Sequence, residues 1–409
     1  MMIKKCRMCK SSKLQKFLDL GFTPAADGFL RKWQLNEPEA HYPLDVLICS
    51  SCSLIQIGYN VPPEILYKKN YPYESWTTET GKRHFFQLSE NICRRFYLKK
   101  KSLVIDIGSN VGVLLSGFKS QGMNVLGIDP AENIAKLANQ TGIETWADYF
   151  SSKTARKVLK QKGKASVITA TNVFAHLYDL HDALKSIGML LGDDGIFVFE
   201  APYFTDLLDK LEYDTIYHEH LCYISIRPLI PFFRQANMDV FDAERVSIHG
   251  GSVRIFVCRK GRQKISENIG RLLKLEESKK IYSLERLRKF ANDVRRQKYA
   301  LVSLLLDLKK KGKKIAGVSA PAKGNTLLNY CGIDNDMLDF LTEKAKIKIG
   351  LYSPGMHIPV VSDEELLKHK PDYALLLAWN FADEIIKNLD KFRKNGGKFI
   401  IPIPFPKIV

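Results

Sequence analysis

At 409 residues the chain exceeds the ~250–300 at which a single hydrophobic core stops growing, so two or three domains are expected. Apolar residues make up 45% and charged residues 26%, which argues against disorder, and no run of 18 uninterrupted apolar residues offers an ordinary membrane span. The net charge of +18 favours phosphorylated or polyanionic partners, although much of the excess is lysine scattered over predicted helix faces, where a solvated surface also explains it.

The opening MMIKKCRMCK is basic but has no apolar segment behind it, so a cytoplasmic chain without membrane attachment is expected. Two C-x-x-C pairs follow, Cys6-Arg7-Met8-Cys9 and Cys49-Ser50-Ser51-Cys52, with residues 10–48 between them. This is the pattern of a four-cysteine zinc site whose halves are brought together by the intervening chain. Four sulfur ligands leave no open coordination position, so the metal is expected to staple a small domain and do no chemistry. The intervening segment, with Phe22, Pro24, Phe29, Trp33 and Tyr42, is too short for a large core of its own, and zinc supplies what burial cannot. Residues 53–100 carry Tyr67, Tyr71, Tyr73, Trp76 and His84, turn helical near Thr80 and end in the basic run Arg94 to Lys101. Aromatic packing is the first reading of that stretch, a lid the second.

Residues 102–130, SLVIDIGSNVGVLLSGFKSQGMNVLGIDP, read as strand, glycine turn, helix and a second strand ending in an acid. The β-branched run to Ile107 is a buried parallel strand; Gly108, Ser109, Asn110 and Gly112 form the turn; Asp129 and Pro130 close the next strand. The turn lacks the full G-x-G-x-x-G of pyrophosphate binders. D-x-G-x-x-x-G suits a nucleoside without a phosphate: Gly108 and Gly112 let the backbone approach, Asp129 can accept both ribose hydroxyls, and the Asp106 end faces the remaining tail. S-adenosylmethionine is such a ligand. The alternation continues with a helix over 131–140, a short strand before Asp148, placed to accept the adenine amine, a basic helix over 151–162 and a strand over 165–171. Asn172 and His176 lie just past that strand's carboxyl end, where open α/β sheets bind ligands.

The strand 195–200 ends in Glu200-Ala201-Pro202-Tyr203, and Tyr217-His218-Glu219-His220 follows with Tyr223 just beyond. Such a cluster is costly to bury idly. It lacks the spacing of a metal site, so a general base oriented by a neighbouring carboxylate is the stronger reading. Segments 242–248 and 253–258, joined by His249-Gly250-Gly251, fit the antiparallel end of the same sheet. Residues 263–311 are helical, with an apolar stripe from Leu287 to Leu308 and irregular heptads, so a bridging helix pair is expected instead of a coiled coil. A second, smaller α/β unit begins at Lys314. Its first loop, Ser319 to Asn325, places Lys323 and Asn325 at a helix start, where a phosphate or diphosphate could bind.

Taken in order, the two C-x-x-C pairs, DIGSNVG, NVFAHLYD, FEAPY, YHEH, HGGSVR, APAKGNTLLNYCGI and AWN resemble the S-adenosylmethionine-dependent C-methyltransferases that act on nucleotide-linked 4-keto deoxysugars. The resemblance spans nearly the whole chain. It implies a class I Rossmann-like methyltransferase core with a zinc-binding N-terminal domain and a C-terminal α/β domain, a nucleotide-diphosphate sugar bound between domains, and His220 as base with Tyr217, Glu219, His176 and Tyr73 around the sugar. The expected division is 1–70, 71–262, a helical bridge over 263–312, and 313–409, in a monomeric protein. Val111 and Ser319 depart from the acid and the glycine usual in that family. Two other readings stay open on the residues alone. A sugar O-methyltransferase would keep the same cofactor site. A zinc-bearing RNA methyltransferase would use the basic charge, but it would need an N-P-P-Y-type motif where this chain has NVFAH, so nucleic acid is not the expected partner.

Overall fold

The computed structural model describes residues 1–66 and 79–409. Three sheets organise these residues. The largest has seven strands in the spatial order Met238–Val246, Ser252–Arg259, Leu191–Pro202, Ala165–Thr171, Leu103–Ile107, Asn124–Asp129 and Thr145–Ala147. The last five run parallel, and Ser252–Arg259 is antiparallel to both of its neighbours. The chain moves outward from Leu103–Ile107 to one edge and then returns to build the other side. That reversal opens a crevice at the carboxyl ends of Leu103–Ile107 and Ala165–Thr171. These strands read as continuous apolar runs because helices cover both faces: Ile105, Ile107, Ile168 and Ala170 are buried on one face, Val104 and Val167 on the other.

The N-terminal sheet pairs Leu14–Thr23, Tyr42–Cys49 and Ile55–Ile57, all antiparallel. Its fourth strand is Cys222–Tyr223, two residues beyond His220, so the segment that carries the YHEH motif is hydrogen-bonded into the small sheet, while Ile224 just after it bridges Tyr203 at the end of Leu191–Pro202 in the large one. The short N-terminal segment solves its core problem partly with zinc ligands and partly by sharing. Leu18, Leu20, Leu44, Val46, Ile48 and Ile57 join one apolar cluster with Phe290, Val294 and Leu301 of the long helix Leu284–Lys310.

The C-terminal sheet has six strands, Val360–Ser362, Leu341–Glu343, Ile315–Val318, Tyr373–Leu376, Lys398–Ile401 and Lys407–Ile408, parallel except for the last pair. The loop expected over Ser319 to Asn325 is shorter, because the helix after it begins at Ala322, with Pro321 in extended conformation as its N-cap. The strand expected over 195–200 also extends both ways, to Leu191–Pro202: Ser252–Arg259 pairs with it as far as Pro202, and Ala165 pairs with Leu191 at its start. No helix among the described residues is long and apolar enough to cross a membrane.

Candidate active site

The glycine turn is shaped by conformation before any side chain matters. Gly108 has φ +64° and Gly112 φ +80°. A Cβ on Gly108 would stand 2.4 Å from Val173 Cγ2, and one on Gly112 2.8 Å from Ile143 Cγ2. Only glycine satisfies both the left-handed backbone and the close approach. Asn110, at φ +50°, belongs to the tolerated minority, and its side-chain carbonyl accepts the Val111 amide.

Asp129 sits at the tip of the next strand, buried, with one carboxylate oxygen accepting the Asn110 amide and the other accepting the Ala131 amide, each at 2.9 Å. The acid therefore ties the turn to Pro130 and the helix after it. Each oxygen retains a second lone pair for a hydroxyl. Asp106 lies deeper, with Thr169 Oγ1 donating to it at 2.6 Å, and burial pushes its carboxyl up to about 7. Asp148 is half-buried and accepts from Thr154 Oγ1 at 3.0 Å. Asn172 adopts φ +58° where the chain leaves Ala165–Thr171, its amide donating to the Glu200 carbonyl at 2.8 Å. Turn, acid and crevice fit S-adenosylmethionine: an unstrained approach for the nucleoside at Gly108 and Gly112 and a buried acceptor for the ribose at Asp129.

Of the residues expected around the substrate, His176, Tyr217 and His220 come together in the fold. His176 ends the short helical turn Phe174–His176, and its ring meets that of His220 edge-on, with centroids 4.8 Å apart. Tyr217 lies on the same imidazole at 4.1 Å. His220 Nδ1–H donates to the Thr215 carbonyl at 2.6 Å. A carbonyl oxygen only accepts, so this bond fixes the tautomer and puts the lone pair of His220 on Nε2. His176 keeps some solvent-accessible surface, yet its surroundings hold its pKa well below the ordinary imidazole value, through burial first and the neighbouring His220 second. Glu219 is buried at 2% exposure beside them in sequence. Tyr73 lies outside the described residues. His218, the remaining member of the motif, points away: its Nε2 is 3.3 Å from the Pro43 carbonyl, its ring stands edge-on to Tyr42, and burial lowers its pKa to about 4. It anchors the motif to the N-terminal sheet.

Sequence reasoning passed over a buried polar network at the same end of the sheet. Arg254 Nε donates to Glu200 Oε1 at 2.6 Å, and His84 Nε2 is 2.7 Å from Glu200 Oε2. Burial alone would raise the Glu200 pKa, but His84 and Arg254 together leave it lowered. The signal was the register that sets Arg254 directly opposite Glu200, which neither segment shows by itself. Lys323 and Asn325 lie in the first turns of the helix Ala322–Cys331. Lys323 Nζ is bonded to Asn380 and stands 4.7 Å above the Trp379 ring. The buried Asn325 amide donates to the Ala26 carbonyl at 2.7 Å, tying the C-terminal unit to the N-terminal segment.

At the other end of the N-terminal sheet, the sulfurs of Cys6, Cys9, Cys49 and Cys52 all lie within 4.8 Å of one another. Sulfur separations of 3.5 Å for Cys6–Cys52 and Cys9–Cys49 suit a tetrahedron around zinc, where Zn–S bonds of about 2.3 Å require sulfurs nearly 4 Å apart. Thiolates this close repel unless a cation sits among them, so the cluster fits structural zinc.

A Rossmann-like sheet with a left-handed glycine turn and a buried acid at its switch point has the form of an S-adenosylmethionine-dependent methyltransferase core. Family models match along the chain: a zinc binding domain over residues 6–67, a methyltransferase domain over 82–242 and a C-methyltransferase C-terminal domain over 247–404. The chain is 34% identical over 408 residues to the C-methyltransferase NovU of Streptomyces niveus, covering 100% of this chain and 97% of that protein. An uncharacterized methyltransferase of Alkaliphilus oremlandii is 30% identical over 139 residues, 32% of this chain and 62% of that one. Among solved structures, an S-adenosylmethionine-dependent methyltransferase from Clostridium acetobutylicum aligns with a TM-score of 0.36 and 14% identity, over 45% of this chain and 94% of its own. The chain belongs to the S-adenosylmethionine-dependent C-methyltransferases with a zinc-binding N-terminal domain. Of the activities left open by the residues alone, this selects methyl transfer to carbon.

Proposed function

We propose that the acceptor is a nucleotide-linked 4-keto deoxysugar, methylated at a carbon next to the ketone through an enolate formed by His220. A sugar carbon is a weak nucleophile, and a neighbouring carbonyl acidifies its C–H. S-adenosylmethionine, when bound, supplies an electrophilic methyl on a sulfonium. The chain's own task is to remove the proton, steady the developing enolate oxygen and hold the carbon in line.

The observation that carries the proposal is the bond from His220 Nδ1–H to the Thr215 carbonyl, which commits the ring to a tautomer with its proton-accepting lone pair on Nε2. His176, kept neutral by its surroundings, does not add a second fixed positive charge when His220 takes up a proton. Tyr217, its ring tilted against that of His220, is the candidate donor to the enolate oxygen, and Glu219 the neighbouring acid that offsets the imidazolium. Tyr73 is assigned to the sugar by resemblance alone. The sugar nucleotide is assigned to the boundary between the central and C-terminal sheets, with Lys323 as the cation for its diphosphate and Asn325 fixing the helix start beside it. The excess basic charge of the chain suits such a ligand without calling for nucleic acid.

The test offers the enzyme and S-adenosylmethionine a panel of nucleotide-linked 4-keto deoxysugars and their 4-hydroxy counterparts. A product carrying a new carbon–carbon bond from the keto sugars alone is expected. Equal methylation of the 4-hydroxy compounds would remove the enolate, and with it the need for His220 as base.

A further inference from the structure

The short helical turn Tyr213–Thr215 packs against the helix Ala322–Cys331, and each of its three residues is held by a different partner. Tyr213 Oη donates to Gln297 Oε1 at 2.6 Å, and the Gln297 amide donates onward to the Pro402 carbonyl at 2.8 Å. Asp214 Oδ2 accepts the indole N–H of Trp379 at 2.6 Å. Thr215 offers its carbonyl to His220 Nδ1–H. The first two partners come from the long helix and from the C-terminal sheet's flank; the third is the candidate base.

From this juxtaposition we infer that Trp379 is a positioning residue for methyl transfer: by holding Asp214 it fixes the turn whose Thr215 carbonyl sets the tautomer and direction of His220. The inference rests on the proposed role of His220 and extends it. Simple packing would not need this construction. Asp214 and Glu212 are buried at 0% and 1% exposure, and each leaves one carboxylate oxygen without a hydrogen-bond partner among the described residues. Burying two acids within three residues is costly even with the Lys323 ammonium offsetting part of their charge, and an apolar turn would close the same space more cheaply. What the polar turn provides is direction. Hydrogen bonds at 2.6 Å on consecutive residues leave the Thr215 carbonyl little freedom to rotate, and a base misplaced by about 1 Å costs on the order of a hundredfold in rate. The C-terminal unit thereby reaches the reacting centre without touching the substrate's reacting carbon.

The test uses the full chain with Trp379→Phe, which keeps a ring beneath Lys323 and removes only the N–H donor, and with Asp214→Asn and Asp214→Ala. Turnover and the ¹⁵N shifts of the His220 ring are measured, with S-adenosylhomocysteine affinity as a check on the cofactor cleft. Trp379→Phe and Asp214→Ala are expected to lower kcat by roughly tenfold to a hundredfold. They should also convert the single Nδ1–H tautomer of His220 into a mixture and leave cofactor-product affinity unchanged. Asp214→Asn keeps a carbonyl acceptor and is expected to stay near the parent. Parent-like turnover in Trp379→Phe, or lowered turnover with the tautomer unchanged, would overturn the inference. His220→Ala separates the two claims: if it retains turnover the base assignment fails, while the tautomer of His220 in Trp379→Phe still decides whether the tryptophan positions the ring.

Discussion

At residue 108 a single hydrogen in place of a side chain decides whether the cofactor cleft exists. Alanine there would combine a left-handed backbone at φ +64° with a Cβ 2.4 Å from Val173 Cγ2. Val173 belongs to the segment carrying Asn172 and His176, so relief of the clash would move the crevice wall. Gly108→Ala is expected to cost about 1–3 kcal/mol of stability and to weaken S-adenosylhomocysteine binding at least tenfold, measured by thermal melting and calorimetric titration. Unchanged affinity would show that the turn tolerates the strain without transmitting it. The glycine spacing was legible because turn chemistry is local. The division of the YHEH motif was not: His220 and His218 are two residues apart, yet one faces Tyr217 and His176 while the other is bound to Pro43. His176 and Pro43 are both distant in sequence from the motif, and no periodicity separates the two histidines. Ser319, where the resembling family usually has glycine, still takes φ +68°, so the backbone demand survives the substitution.

Pairing of elements creates the networks that single residues cannot. Arg254 on Ser252–Arg259 meets Glu200 on Leu191–Pro202 only because of the antiparallel register, and His84 arrives from the helix Glu79–Arg95. Arg254→Met would leave Glu200 buried with one partner fewer. The expected destabilisation is about 3–5 kcal/mol by chemical denaturation, whereas Glu200→Gln combined with Arg254→Met should cost clearly less because no charge is stranded. Equal losses would mean that the pair acts by packing alone. The zinc staple was readable from cysteine spacing, because each pair is local and only its meeting with the other pair required the fold. Chelation is expected to release one zinc per chain and loosen the N-terminal sheet, as should Cys49→Ser. A metal-free protein with unaltered circular dichroism would contradict the staple. The shared core between that sheet and Leu284–Lys310 could not be read this way, since an apolar stripe does not name its partner.

For the whole molecule, buried acids set the response to pH. Burial raises Glu212 and Asp106 to about 7 and Asp214 to about 6, with Asp214 adding to the shift at Glu212. These folded-state values lie above those of the unfolded chain, so between about pH 4 and 7 the folded protein holds protons that the unfolded chain has released, and stability falls as pH rises through that window. Glu200 acts in the opposite sense. Its folded value is lowered by His84 and Arg254, so its contribution is present above the unfolded pKa and is lost as pH falls further. On their own the raised acids would lift the apparent melting temperature as pH is brought from 8 toward 5. His176 and His218, which burial holds neutral in the fold but which take up protons in the unfolded chain below about pH 6.5, oppose that rise, and in stronger acid stability drops. Glu212→Gln should flatten the first part, with a gain of up to about 3 kcal/mol at pH 8. A mutant curve parallel to the parent's would show that Glu212 titrates normally.

Asp214 and Trp379 stand 165 positions apart in the chain, and only the assembled molecule reveals that the late AWN motif and the turn before YHEH form one structure. The central claim, that this C-methyltransferase works through an enolate made by His220, is tested most directly by solvent deuterium exchange. Nucleotide-linked 4-keto deoxysugars are incubated in deuterated water with the enzyme and S-adenosylhomocysteine, with His220→Ala in parallel. Exchange at one carbon flanking the ketone, abolished in the mutant, is the predicted result, and the exchanging carbon is the one methylated. Exchange that persists in His220→Ala, or no exchange with any keto sugar while S-adenosylhomocysteine is bound, would contradict it.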